Sequence, residues 1–157
     1  LLNYLRNTES TVLDAGCGTG LVGEILYKTY FRNIDGVDFS QEMLNIASQK
    51  NIYQSLKLVD LTKKLDYENN SFDAVICAGT FTCGHVGPEA LREMVRITKQ
   101  DGYICFTVRK QEWEASPYLQ IMNDLEKNES WTKLELLTKK YNVKEGVSCQ
   151  LCLYQVH

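Results

Sequence analysis

The sequence predicts an α/β protein: a doubly wound, mostly parallel sheet of seven strands with an antiparallel edge. Three observations carry this. Short apolar strand patterns alternate with amphipathic helix patterns from Thr11 onward, the order that buries a parallel sheet between helices. Phe72 to Ala78 is almost continuously apolar, as a central strand covered on both faces requires. Two further strand patterns, near Lys133–Tyr141 and Val147–Val156, follow one another with no helix between them, so they pair as an antiparallel edge.

Each element has a local reason. Leu1 to Asn7 carries an apolar stripe and is expected to be the end of a helix. Thr11 to Asp14 is the first strand, and Gly16, Gly18 and Gly20 turn it into a helix from Leu21 to about Phe31. Asn33 to Phe39 is the second strand. Ser40 caps the next helix, with Glu42 in its first turn and Met43, Leu44 and Ala47 on its buried face. Leu56 to Leu61 is a short third strand, and Glu68–Ser71 turns into the fourth. Pro88 at the first helical position opens a helix whose Leu91, Met94, Val95 and Thr98 recur at helical spacing. Asp101-Gly102 turns into the fifth strand, Tyr103 to Val108. Pro117 starts a helix facing inward with Tyr118, Ile121, Met122 and Leu125.

Composition narrows the class of protein. At 157 residues, 44% hydrophobic and 24% charged, the chain reads as one globular domain spanning 1–157. A net charge of −3 with no basic run beyond Lys139-Lys140 disfavours a nucleic-acid partner. No apolar run is long enough to span a membrane, and Leu1–Arg6 lacks the layout of an export signal. Of the six cysteines, Cys149-x-x-Cys152 alone has metal or redox spacing. Residues three apart on a strand point to opposite faces, so no metal site is expected there. Reduced cysteines without an export signal place the chain in the cytoplasm.

The chemistry gathers at the carboxyl ends of the strands, where doubly wound sheets bind ligands. Gly18-x-Gly20-x-x-Gly23, with Asp38 beyond it, satisfies a dinucleotide pattern. Asp14, two residues before the first glycine, argues otherwise: a carboxylate there repels phosphates and suits a cationic ligand. Asp38 can accept hydrogen bonds from vicinal ribose hydroxyls, and Phe39 follows it out of the strand. Asp60 can accept from an exocyclic amine while Leu61 and Met43 pack on a base. Ala78-Gly79-Thr80 ends the fourth strand. His85, the one internal histidine, is a candidate catalytic base. Trp113 and Tyr118 are candidates for the wall of an acceptor pocket.

Val12 to Gly20 resembles the first motif of class I S-adenosylmethionine-dependent methyltransferases, and the likeness runs from Leu1 to about Arg109. Ala78-Gly79-Thr80-Phe81-Thr82-x-Gly84-His85-Val86-Gly87-Pro88-x-Ala90-Leu91 is similar to the Williams–Beuren syndrome region methyltransferase-like group. The resemblance implies a Rossmann-like methyltransferase fold and S-adenosylmethionine as cofactor, with S-adenosylhomocysteine as product. It further implies that Gly16, Cys17, Gly18 and Gly20 lie along the methionine portion, Asp38 at the ribose, and Asp60 and Leu61 at the adenine. Ala78 and Gly79 would lie near the amino group, and a small molecule or exposed protein group would accept the methyl. Related enzymes carry more N-terminal helices, so a lid over the cofactor is expected to be missing here. Two alternatives stand beside this reading: a nicotinamide-dependent oxidoreductase, for which Tyr53-x-x-x-Lys57 has the right spacing, and a cofactor-binding module without catalysis.

Overall fold

The computed structural model describes residues 1–81, 86–115, 117–142 and 147–157. Its elements run β1 (Val12–Ala15), α1 (Leu21–Lys28), β2 (Ile34–Asp38), α2 (Gln41–Ser48), β3 (Ser55–Leu58), β4 (Phe72–Phe81), α3 (Ala90–Ile97), β5 (Thr98–Arg109), α4 (Lys110–Ala115), α5 (Tyr118–Lys127), β6 (Trp131–Asn142) and β7 (Val147–Val156). The strands form one sheet in the order β3-β2-β1-β4-β5-β7-β6. β1 to β5 pair in parallel, and β7 runs against both β5 and β6. The expected α/β architecture, with its closing antiparallel pair, is what forms.

The strand order reverses between β1 and β4. From β1 the chain builds outward through β2 and β3, then returns to place β4 on the other side of β1. Neither crossover can fill the space above this switch point, so a crevice opens at the carboxyl ends of β1, β2 and β4.

Several boundaries differ from the sequence reading. Leu1–Asn7 closes one turn, with the Leu5 N–H donating to the Leu1 carbonyl at 3.0 Å, and does not propagate into a helix. α1 stops at Lys28 because Tyr30 enters the left-handed region at φ 74°, and the Phe31 N–H then reaches back to the Leu26 carbonyl at 3.1 Å. Pro88 precedes α3 rather than opening it, in a tight turn where the Leu91 N–H donates to its carbonyl at 3.0 Å. β5 begins at Thr98, well before Tyr103, and absorbs Asp101 (φ 62°) and Gly102 as an irregularity in the ladder to β4. β3 ends at Leu58, leaving Asp60 and Leu61 in the loop beyond it. α4 has no counterpart in the sequence reading.

The core is densest where α3 and α5 cover β4, β5 and β7. Trp131 and Tyr154 stack with centroids 4.1 Å apart, and Phe106 meets Phe81 edge-on at 5.8 Å. The Trp131 indole N–H, fully enclosed, donates to the Met122 carbonyl at 3.2 Å. Thr98, also buried, turns its hydroxyl back to the Met94 carbonyl at 2.7 Å, so it caps α3 rather than continuing its apolar face. Among the described residues no helix is long and apolar enough to cross a membrane.

Candidate functional site

The crevice is a cleft of about 990 Å³ lined by the glycine turn, the end of β2, the loop after β3 and the end of β4. Gly16, Cys17 and Gly18 form one wall, Asp38, Phe39 and Met43 a second, Asp60 and Leu61 a third, and Ala78, Gly79 and Thr80 the floor. The sheet thus brings together eleven of the residues singled out in the sequence.

The turn is held by backbone. The Gly16 and Cys17 N–H groups both donate to the Val37 carbonyl, at 2.8 and 2.9 Å. Gly16 has φ 74°, and an added Cβ would stand 2.0 Å from the Thr80 hydroxyl oxygen, so only glycine fits between β1 and β4 there. Gly18 has φ 53°, and nothing lies within 4 Å of an added Cβ, leaving its backbone open to the cleft.

Asp38 is tied to this turn. Its Oδ2 accepts from the Gly18 N–H at 2.7 Å and its Oδ1 from the Ser40 N–H at 2.9 Å. Each oxygen keeps a lone pair, so the carboxylate is oriented and still able to accept from a ligand. Asp60 is set in the same manner: its Oδ1 accepts from the Thr62 N–H at 2.9 Å and the Thr62 hydroxyl at 2.6 Å, bonds that hold its pKa below the usual carboxylate value. Apolar groups surround the two acids. Leu61 is buried, Met43 is 43% exposed and Phe39 is 77% exposed. Met43 therefore does not belong to the buried face of α2, which is Leu44 and Ala47; it faces the cleft.

Two expected site residues lie elsewhere. Asp14 and Gly20 do not line the cleft but sit behind the turn. The Asp14 carboxylate, 1% exposed, accepts from the Tyr53 hydroxyl at 2.7 Å, so it does not present itself to a cation in the cleft. Burial raises its pKa to about 6, against the opposing pull of the Tyr53 and Gly23 hydrogen bonds. Cys17 is buried and its thiol is pushed up to about 12, chiefly by desolvation, so it packs rather than reacts. Tyr118 belongs to the core, with its hydroxyl donating to the Val86 carbonyl at 3.3 Å, and Trp113 packs against that core. His85 lies outside the described residues.

The Tyr53/Lys57 spacing makes no catalytic pair, since Tyr53 is bonded to Asp14 and the Lys57 ammonium sits 4.4 Å over the Tyr67 ring. Cys149 and Cys152 are free, buried thiols on β7. Among the described residues no group of three or more His, Cys, Asp or Glu could hold a metal. As site residues, sequence reasoning passed over Ser40, Val59 and Thr62, which also line the cleft. Thr62 alone left a signal, as the residue two beyond an aspartate at a strand end.

A family model described as a methyltransferase domain matches residues 13–106. Methyltransferase-like protein 27 of Homo sapiens is 38% identical over 102 residues, covering 64% of this chain and 41% of that protein. Malonyl-[acyl-carrier protein] O-methyltransferase of Bacillus anthracis is 26% identical over 111 residues, covering 69% of this chain and 41% of that protein. The chain thus spans well under half the length of these curated relatives. A solved S-adenosylmethionine-dependent methyltransferase structure from Methanosarcina mazei matches 98% of this chain and 95% of its own, with TM-score 0.75 and 16% identity. The [4+2]-cyclase SpnF shares the same fold at TM-score 0.75 and 15% identity, over 94% of this chain and 74% of its own. Fold alone therefore does not name a reaction; the family model, which matches more than half the chain, does name a family. The chain belongs to the class I S-adenosylmethionine-dependent methyltransferase domain family.

Proposed function

We propose that this domain binds S-adenosylmethionine in the cleft at the switch point and directs its methyl group to a small molecule or an exposed protein group. One observation carries the choice of cofactor. Among the described residues, those lining the cleft include two aspartates and a set of apolar side chains, but no lysine or arginine. A dinucleotide brings a pyrophosphate that two nearby carboxylates would repel, whereas an adenosyl sulfonium brings a ribose, a base and positive charge.

The chain's own groups divide the work. Asp38, oriented by Gly18 and Ser40, accepts from the ribose hydroxyls. Asp60 accepts from the adenine amine, and Leu61, Met43 and Phe39 shield the ring from water. The open backbone at Gly18 and the carbonyls at the end of β4 receive the amino acid portion. When bound, the cofactor supplies an electrophilic methyl whose departure leaves a neutral thioether. The protein's task is then mainly to hold the acceptor in line and dry, and a base is optional. His85, which follows β4 in sequence, is assigned that optional proton-accepting role.

Thermal denaturation with four separate ligands tests the reading. S-adenosylmethionine and S-adenosylhomocysteine are expected to raise the midpoint, and NAD and NADP to leave it unchanged. Stabilisation by NAD alone would reverse the assignment.

A further inference from the structure

The spacing Gly18-x-Gly20-x-x-Gly23 looks like a loop shaped for a ligand, yet only its first glycine opens onto the cleft. A Cβ at Gly20 would meet Tyr53 Cε2 at 3.1 Å and its hydroxyl oxygen at 3.2 Å. At Gly23 the same hydroxyl oxygen would be 2.3 Å away and Cζ 2.4 Å, and at Gly36 the ring's Cε1 would be 3.0 Å away. Glycines from the turn, from α1 and from β2 thus form a slot for one aromatic ring. The ring enters from the segment between α2 and β3, and its hydroxyl donates to Asp14 Oδ2 at 2.7 Å across 39 residues of sequence. The Gly23 N–H, in the first turn of α1, is directed at the same pair.

We propose that Tyr53 is the positioning residue of the glycine turn: by filling the three-glycine slot and bonding Asp14, it sets the course of the turn and the cleft's affinity for its adenosyl cofactor. The inference rests on the cofactor reading above. Two of the three glycines in the fingerprint are then explained by a tyrosine's fit rather than by a ligand's approach. A buried carboxylate that accepts from the Tyr53 hydroxyl ties β1 to the ring in the slot that Gly20, Gly23 and Gly36 form, and the turn lies directly on it.

The geometry makes the unit depend on the charge of Asp14. The groups facing that carboxylate are the Tyr53 hydroxyl, the Gly23 N–H, the Cys17 and Cys77 thiols, and the Asp38 carboxylate. Burial raises Asp14 to about 6 even with the Tyr53 hydrogen bond pulling the other way. Removing the hydroxyl therefore moves its ionisation to higher pH, so less of the protein carries a set turn at neutrality.

The test titrates S-adenosylhomocysteine calorimetrically into the 157-residue chain from about pH 5 to about pH 8. Wild type and Tyr53→Phe are compared, each with and without His85→Gln, which removes the one internal histidine. Tyr53→Phe is expected to bind about tenfold more weakly near neutrality, with the pH at which affinity is half lost displaced upward and the deficit shrinking toward the alkaline end. In the ligand-free protein, the Gly23 amide resonance should titrate with Asp14 in wild type and at higher pH in Tyr53→Phe. Equal affinities and equal midpoints in a folded Tyr53→Phe protein overturn the inference alone. Should that variant not fold, the wild-type Gly23 resonance decides: a midpoint near 6 supports the inference and a flat profile overturns it. Failure of wild type to bind S-adenosylhomocysteine overturns the cofactor reading and this inference with it.

Discussion

Over β4, β5 and β7 the sheet carries a pile of rings, Phe81, Phe106, Tyr118, Trp131 and Tyr154, sealed by α3 and α5. On the opposite face α1 covers β1, β2 and β4 with Val12, Leu26, Ile34 and Ile76, and Phe31 is the buried ring of that cluster. Toward β5 on this second face, Tyr103 and Cys105 are only partly buried, and Tyr4 of the N-terminal turn tilts over Tyr103 at 5.9 Å. The aromatic face holds the larger cluster of buried apolar residues and so contributes more of the stability. The glycine turn enters α1 on the lighter face, where ligand-binding segments can open without unfolding the rest.

The largest test of this contrast is a pair of truncations. Trp131→Ala empties a fully buried indole site and should cost about 3–5 kcal/mol, whereas Leu26→Ala in the α1 cluster should cost about 2–3 kcal/mol. Urea unfolding measures both. Equal losses would show that the two faces contribute alike.

The second test concerns strain on the lighter face. The folded pKa of Asp14 lies above its ordinary value of 3.8, at about 6, so the folded state holds the proton more tightly. Its contribution to stability is therefore greatest at low pH and falls as pH rises from the unfolded value to the folded one. The stability of wild type minus that of Asp14→Asn should decrease by roughly 2 kcal/mol between about pH 4 and pH 7. Asp73 and Glu93 shift downward and act in the opposite sense, but they are common to both proteins and cancel in the difference. A constant difference would mean that Asp14 is solvated in the folded chain.

This difference between faces also sets what could be read from the sequence. Among the described residues, all seven strands and four of the five helices were legible, because alternation and helical spacing record burial directly, whereas the helix expected at Leu1–Asn7 does not form and α4 was not foreseen. Boundaries escaped where a single unusual backbone angle decides them: Tyr30 at φ 74° ends α1 with no glycine to announce it. Asp101-Gly102 reads as the turn leading into the fifth strand, but an added Cβ at Gly102 would stand 2.8 Å from both the Asp73 and Lys99 carbonyl oxygens, so it is a close-packed point within β5. At the cleft, the placement of Asp38 and Asp60 was legible because one ends a strand and the other lies just beyond one. Asp14 was misjudged because the residue it serves, Tyr53, is 39 positions away and no spacing rule links them.

The third test asks whether the two strand-end acids differ in function as they do in burial. Asp38→Ala removes a carboxylate that faces the cleft and is expected to weaken S-adenosylhomocysteine binding by at least about tenfold, roughly 1.4 kcal/mol. It also deprives the Gly18 and Ser40 N–H groups of their acceptor, for a stability loss of about 1 kcal/mol. Calorimetry that finds binding unchanged would remove Asp38 from the site.

The smallest effect is expected at Phe39. It follows β2, lines the cleft and is 77% exposed, more than Leu21, Leu58 or Met43. An exposed ring contributes little to folding, since water reaches it in both states, so Phe39→Ser should shift stability by no more than about 0.5 kcal/mol. A base packed against that ring would remove part of its area from water. At about 25 cal/mol for each Å² of apolar surface covered, roughly 40 Å² corresponds to about 1 kcal/mol, or about fivefold in affinity. Phe39→Ser should therefore lower S-adenosylhomocysteine affinity several-fold while the unfolding midpoint of the free protein stays where it was. A drop in that midpoint with affinity intact would place the ring in the folding core instead, and would erase the distinction between a face that holds the chain together and a face that holds the ligand.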